Sequence, residues 1–251
     1  MPLTNLKPFR ALRFTFRIFK TLLIDYGYLP SVLRGEIRSP DGYVPWFTYP
    51  AIEALKAWDL SERSVLEYGS GYSTLFWANR ARTVVSIEHN QDWFEKIKGL
   101  APPNVTMILA PINEAENDYH PSEKTRAEFR AYAESHGEGK FDLIVLDGYA
   151  RSRMRYQCAQ ASLPHLKPGG MVILDNSDWC PATCLFLRES GLIQIDFSGF
   201  VPGNNCAQTT SFFLSPGFSF QHNQRVLPIG GTGHNWEKAL EQELLDGQVT
   251  T

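Results

Sequence analysis

The chain predicts an α/β fold: a doubly wound, Rossmann-like sheet of five parallel strands plus a C-terminal antiparallel hairpin, with helices on both faces. Three observations predict it. Apolar strand-like runs alternate with helix-length segments from residue 64 to 190, the order that builds right-handed crossovers onto a parallel sheet. Between Asp142 and Asp147 every residue is apolar, as a strand buried on both faces requires. The runs 192–199 and 209–214 follow one another with no room for a helix between them, which makes them an antiparallel hairpin at one sheet edge.

Taken in order, a Gly-, Pro- and aromatic-rich entry (34–49) leads to Pro50, in the first turn of a helix over about 51–58. Strands are expected at 64–68, 83–88, 105–110, 141–147 and 171–175, and helices at 73–80, 91–100, 122–135, 152–166 and 182–190. Residues 1–35 read as a basic amphipathic extension, 36–215 as the ligand-binding domain, and 216–251 as a Gly/Pro-rich tail with a short helix near 236–245.

Composition narrows the function classes. At 251 residues and 43% hydrophobic, the chain can bury one substantial core. A net charge of −3 gives no electrostatic reason for a nucleic-acid partner. The four cysteines form no metal-binding spacing and suit a reducing, cytoplasmic setting. No run is long enough to span a bilayer, and no cleavable signal is present. The first 24 residues stand apart: Lys7, Arg10, Arg13, Arg17 and Lys20 alternate with Phe and Leu, with no acid before Asp25. Such a helix suits peripheral contact with an anionic membrane, or packing on this domain or on a second copy in a homodimer.

The stretch from Val65 to Glu88 carries the ligand signal. An apolar run ends in Glu67, turns through Gly69 and Gly71, enters a helix at Ser73 and Thr74, and a second run ends in Glu88. This unit binds an adenosine-containing cofactor, the second acid accepting from the ribose hydroxyls. Glu67, two residues before the first glycine, is a poor neighbour for pyrophosphate but a good one for an ammonium group. S-adenosyl-L-methionine carries an ammonium and a ribose and no phosphate. A nicotinamide-dependent Rossmann oxidoreductase is the alternative, as is a non-catalytic cofactor-binding or membrane-associated module.

On these residues the chain resembles the class I S-adenosylmethionine-dependent methyltransferases, from about Val65 to Leu214. It is similar to a bacterial set sharing the Pro-Trp-x-Thr-Tyr-Pro entry and the Leu-Asp-Asn-Ser-Asp strand ending. The resemblance implies that Glu67, Gly69, Ser70 and Gly71 surround the methionine moiety, that Ser73 and Thr74 meet its carboxylate, and that Glu88 takes the ribose. It sets His89 beside the adenine.

Asp147 ends the buried strand and is followed by Gly148, so it is the residue expected to orient or deprotonate an acceptor. Arg151 is placed to meet an anionic acceptor group, while Arg153 and Arg155 read as solvated. Trp46 and Tyr49 are candidates for an aromatic lid over the acceptor, or for core closure. Asp147, Asp175 and Asn176 resemble the three Mg²⁺ ligands of catechol-type O-methyltransferases, yet Ala150 stands where that family carries its lysine base. The motifs of base-modifying DNA methyltransferases are missing. The expected activity is methyl transfer to a hydroxyl, less readily to an amine or carboxylate, of a small-molecule or glycan-like acceptor.

Overall fold

The computed structural model describes residues 7–39, 42–112, 122–148 and 152–223. The chain opens with helix α1 (Lys7–Lys20), a π-helical turn (Thr21–Asp25) and α2 (Tyr28–Arg34). A short antiparallel ribbon of β1 (Arg38–Ser39) and β2 (Gly42–Tyr43) precedes α3 (Tyr49–Lys56). Then come β3 (Ser64–Tyr68), α4 (Tyr72–Ala78), β4 (Thr83–Glu88), α5 (Gln91–Lys98), β5 (Val105–Leu109) and α6 (Glu123–Glu134). The second half runs β6 (Phe141–Leu146), α7 (Ser152–Ser162), β7 (Leu166–Leu174), α8 (Pro181–Glu189), β8 (Ile193–Phe200) and β9 (Ala207–Leu214).

The main sheet has seven strands in the order β5-β4-β3-β6-β7-β9-β8. The first five are parallel, and β9 and β8 close the edge antiparallel. This is the predicted architecture. The direction of strand addition reverses between β3 and β6, which sets the ligand crevice at their carboxyl ends.

Period-two alternation builds two cores from the same strands. Val65, Leu143, Met171 and Phe212 face one layer with Ile52, Leu55 and Trp77. Their neighbours Leu66, Ile144, Val172 and Phe213 face the other, with Phe129, Met154 and Leu187. Thus α3 and α4 cover one face, and α6, α7 and α8 the other. At the amino-terminal end of β6, the Asp142 carboxylate accepts from Lys167 Nζ (2.8 Å), the Ser64 N–H (2.9 Å) and the Ser64 hydroxyl (2.8 Å). Burial would raise its pKa, but these bonds hold it down at about 2.

The extension is only partly separate from this body. Tyr26 stacks on Tyr49 with ring centroids 4.8 Å apart, and Leu22, Tyr28 and Ile37 pack against the core. Beyond that point α1 is solvent-exposed from residue 11 onward, with only Arg17 partly covered. No helix among the described residues is long and apolar enough to cross a membrane. The expected helix at 236–245 lies outside the described residues.

Candidate functional site

A cavity of about 970 Å³ opens at the β3/β6 switch point. That lies near the top of the usual range for ligand sites, enough for a nucleoside-sized group and an acceptor together. Its floor is the turn after β3. Gly69 has φ +90°, and a Cβ there would lie 2.6 Å from both the Asp147 carbonyl oxygen and the Gly148 Cα. Gly148 in turn leaves no room, since a Cβ on it would meet the Tyr132 hydroxyl at 2.4 Å. Gly71 is different: its backbone is extended, and its missing Cβ would find only Ser73 and Trp93 at van der Waals distance. Gly69 is therefore required by packing, whereas Gly71 keeps a cavity wall bare.

Glu67 and Thr74 do not line the cavity. Glu67 is completely buried, and its carboxylate accepts from the Thr74 hydroxyl (2.5 Å), the Ser86 hydroxyl (2.7 Å) and the Trp77 indole N–H (2.9 Å). Burial raises its pKa, and the hydroxyl and indole donors oppose the rise. Thr74 Oγ1 also accepts from the Gly71 N–H at 2.9 Å. The structure thus places Glu67 behind the cavity lining and makes it the anchor of the turn. Ser70, Gly71 and Ser73 remain on the cavity.

Glu88 does reach the cavity, at the end of β4. Its Oε1 accepts from the His89 and Asn90 N–H groups (2.9 and 2.8 Å) and its Oε2 from the Ser70 N–H (3.0 Å). A carboxylate has about four acceptor sites, so Oε2 retains capacity toward the cavity. His89 lines the cavity too, with its ring edge-on to Tyr132. Beside them is Trp93, a residue the sequence reading did not single out. The Asn90 side chain caps α5 by accepting from the Trp93 N–H (3.0 Å). The indole N–H donates to the Ser70 carbonyl (2.6 Å), and Lys96 Nζ lies 4.3 Å from the ring centroid. Tyr72 closes this aromatic wall, edge-on to Trp93 and stacked on Tyr43.

The opposite half of the cavity holds Asp147, Asp175 and Asn176, together with Gln208 from β9. Arg155, on α7, is buried rather than solvated as the sequence suggested. Its guanidinium donates to Asp147 Oδ1 (3.3 Å), to the Gly148 carbonyl (3.4 Å) and to the Asp175 carbonyl. The signal was available, because Arg155 falls on the stripe of Met154, Cys158, Ala159 and Ser162 that α7 buries. Asp175 accepts from the Thr210 hydroxyl (2.6 Å) and from Gln208 Nε2 (3.1 and 3.2 Å). Burial and the Asp175 charge push Asp147 well above the usual carboxylate range, with Arg155 pulling the other way. Burial likewise raises Asp175, to about 6, against Arg155 and the Thr210 hydrogen bond. Asn176 has φ 48°, the only positive φ at a non-glycine residue among those described. Such strained positions gather at functional sites.

The remaining expectations divide. Trp46 lines the cavity and is half exposed. Tyr49 is in the core against Tyr26 and does not reach the cavity. Arg151 lies outside the described residues. As a Mg²⁺ site, the group Asp147, Asp175 and Asn176 fits poorly. A guanidinium already pairs with Asp147, and Asp175 Oδ1 already accepts from both Thr210 and Gln208. Among the described residues no cluster of three or more His, Cys, Asp or Glu could hold a metal ion.

A doubly wound sheet with a glycine turn and a strand-end acid at its switch point is similar to the arrangement expected from the sequence. Residues 66–177 match the family model described as a methyltransferase domain. No curated protein matches the chain. Among solved structures it is similar to a methyltransferase-like protein from Silicibacter pomeroyi DSS-3, at 21% identity over 68% of this chain and 90% of that one, TM-score 0.44. It is similar to the precorrin-6y C5,15-methyltransferase from Geobacter metallireducens GS-15, at 14% identity over 66% and 87%, TM-score 0.48. A third is the N-methyltransferase NodS from Bradyrhizobium japonicum WM9 in complex with S-adenosyl-L-homocysteine, at 13% identity over 61% and 78%, TM-score 0.40.

Proposed function

We propose that the protein transfers a methyl group from S-adenosyl-L-methionine to a hydroxyl of a small-molecule or glycan-like acceptor. The observation that carries this reading is a single cavity bringing the Gly69–Gly71 turn and Glu88 together with the carboxylate of Asp147. When bound, the cofactor supplies an electrophilic methyl on a sulfonium. Glu88 Oε2 would hold the ribose, the bare Gly71 would let the methionine portion approach the backbone, and Trp93 and His89 would flank the base.

Asp147 does the remaining chemistry. A hydroxyl acceptor has to lose its proton on methylation, and the Asp147 carboxylate would take it. Asp147 stands at the end of β6 on the cavity wall, within reach of an acceptor bound there. Arg155 fixes its orientation and Gly148 brings it close to the glycine turn. Alignment of acceptor, methyl and sulfur supplies most of the acceleration.

The test has two parts. S-adenosyl-L-homocysteine should raise the melting temperature and NAD should not. Incubation of the enzyme with isotope-labelled cofactor and a cell extract should then label a small-molecule or glycan fraction. Stabilisation by NAD alone, or label found only in nucleic acid, would overturn the reading.

A further inference from the structure

We infer that α1 and α2 form a docking surface for an anionic lipid bilayer, lying in its headgroup region without crossing it. Leu12, Phe14, Phe16, Ile18 and Phe19 of α1, and Leu29, Val32 and Leu33 of α2, are between 42% and 75% exposed. Residues 1–34 carry six basic residues against one acid, Asp25. The sign of that charge complements anionic headgroups and opposes a basic partner.

Arrangement around the helix separates a bilayer from a protein face. At 100° per residue, Arg13, Arg17 and Lys20 fall within one narrow sector of α1. Phe14, Ile18, Phe19, Leu12 and Phe16 follow one another around the rest, an arc wider than half the circumference. A helix packed on a protein needs a stripe only a little over 100° wide. A helix sunk to its middle in the interface buries an arc as wide as this one, with its cations at the phosphate level. The helix has 14 residues and is too short to span.

The surface is continuous with the site. Gly35 caps α2 and Ile37 follows two residues later, and both line the cavity. Docking of α2 therefore holds one cavity wall near the bilayer. The docking itself does not depend on methyl transfer.

The test uses the full chain with vesicles of neutral phosphatidylcholine, and with the same lipid containing about a quarter phosphatidylglycerol. Wild type should sediment with the anionic vesicles and be released as salt rises. Phe16→Glu with Phe19→Glu, and separately Arg13→Glu with Arg17→Glu, should each lower partitioning at least about tenfold while leaving thermal unfolding and S-adenosyl-L-homocysteine affinity unchanged. All four positions belong to a helix that makes little contact with the core, so these variants fold. Absence of binding, equal binding to both vesicle types, or full binding by the variants would overturn the inference. So would a concentration-dependent dimer, dissolved by the Phe16→Glu/Phe19→Glu pair, in a protein that ignores vesicles. Since cofactor affinity is read in the same samples, failure of the lipid reading and failure of the methyltransferase reading are told apart.

Discussion

Gly69 and Gly148 meet backbone to backbone, so the cofactor turn and the Asp147 turn are one rigid unit. A single methyl at Gly69 would reach 2.6 Å from the Gly148 Cα. Gly69→Ala should cost about 3 kcal/mol or more, combining a positive φ with a clash against main chain. Gly71→Val should leave stability almost unchanged, because its extended backbone suits a branched residue, yet abolish most cofactor affinity. Melting curves with and without S-adenosyl-L-homocysteine separate the two. A Gly71→Val protein with normal affinity would show that this wall touches no ligand.

The two acids of the motif should respond in opposite ways. Glu88→Gln replaces a cavity-facing acceptor and should weaken cofactor binding by about 1.5–3 kcal/mol, roughly ten- to a hundredfold. Glu67→Gln disturbs an acceptor ringed by donors, so its main effect should be a stability loss of about 1–3 kcal/mol. Calorimetry and thermal unfolding on both variants check the split, and equal affinity losses would refute it.

Asp147→Asn should lower turnover by about 10²–10⁴-fold while leaving cofactor affinity near normal. Arg155→Lys keeps a cation but loses the fork that reaches both Asp147 and the Asp175 carbonyl. It should therefore shift the pH–rate profile rather than erase activity. An unchanged profile would confine Arg155 to a structural role.

The raised pKa of Asp175 fixes the sign of a pH effect on stability. A folded-state value of about 6 lies above the unfolded value near 4, so the folded state binds more protons between them. The associated stabilisation is complete below about pH 4 and is lost as pH rises through about 6. Asp175→Asn should remove that slope and gain a few degrees in melting temperature relative to wild type at pH 8 compared with pH 4. Parallel curves for both proteins would contradict the burial argument.

Arg155 also bears on metal. With its guanidinium on Asp147, millimolar Mg²⁺ should not raise the melting temperature, with or without cofactor, and chelator should not lower it. A clear Mg²⁺-dependent rise would show that the arginine gives way to a divalent ion.

The sheet was legible because its strands are apolar runs closed by an acid or a glycine, and the ends of β3 and β4 fall at Tyr68 and Glu88. The start of β7 was not legible: the strand was expected only from 171, after Lys167, Pro168, Gly169 and Gly170, and its first pairing, Leu166 with Phe141, is separated from the rest by a register shift. Glu67 could have been placed better. It is two residues from Val65 and so shares the face covered by α4, where Trp77 and Thr74 await it. Trp93, Gln208 and Thr210 depend on contacts between segments far apart in the chain, which local periodicity does not encode. Arg151 and the end of the tail lie outside the described residues.

The cavity is assembled from two sets of chain segments that do not overlap. Residues 69–96 supply the side proposed for the nucleoside, while residues flanking the ribbon, the β6 and β7 ends, Arg155, and the β8–β9 connection with Gln208 supply the rest. Asn204 and Cys206 sit on that connection, a surface loop outside the parallel framework. On the proposed function, rewriting this loop would change which molecule is accepted while leaving the turn proposed to hold the methyl donor as it is. The fold is in that sense a fixed socket with an interchangeable adaptor.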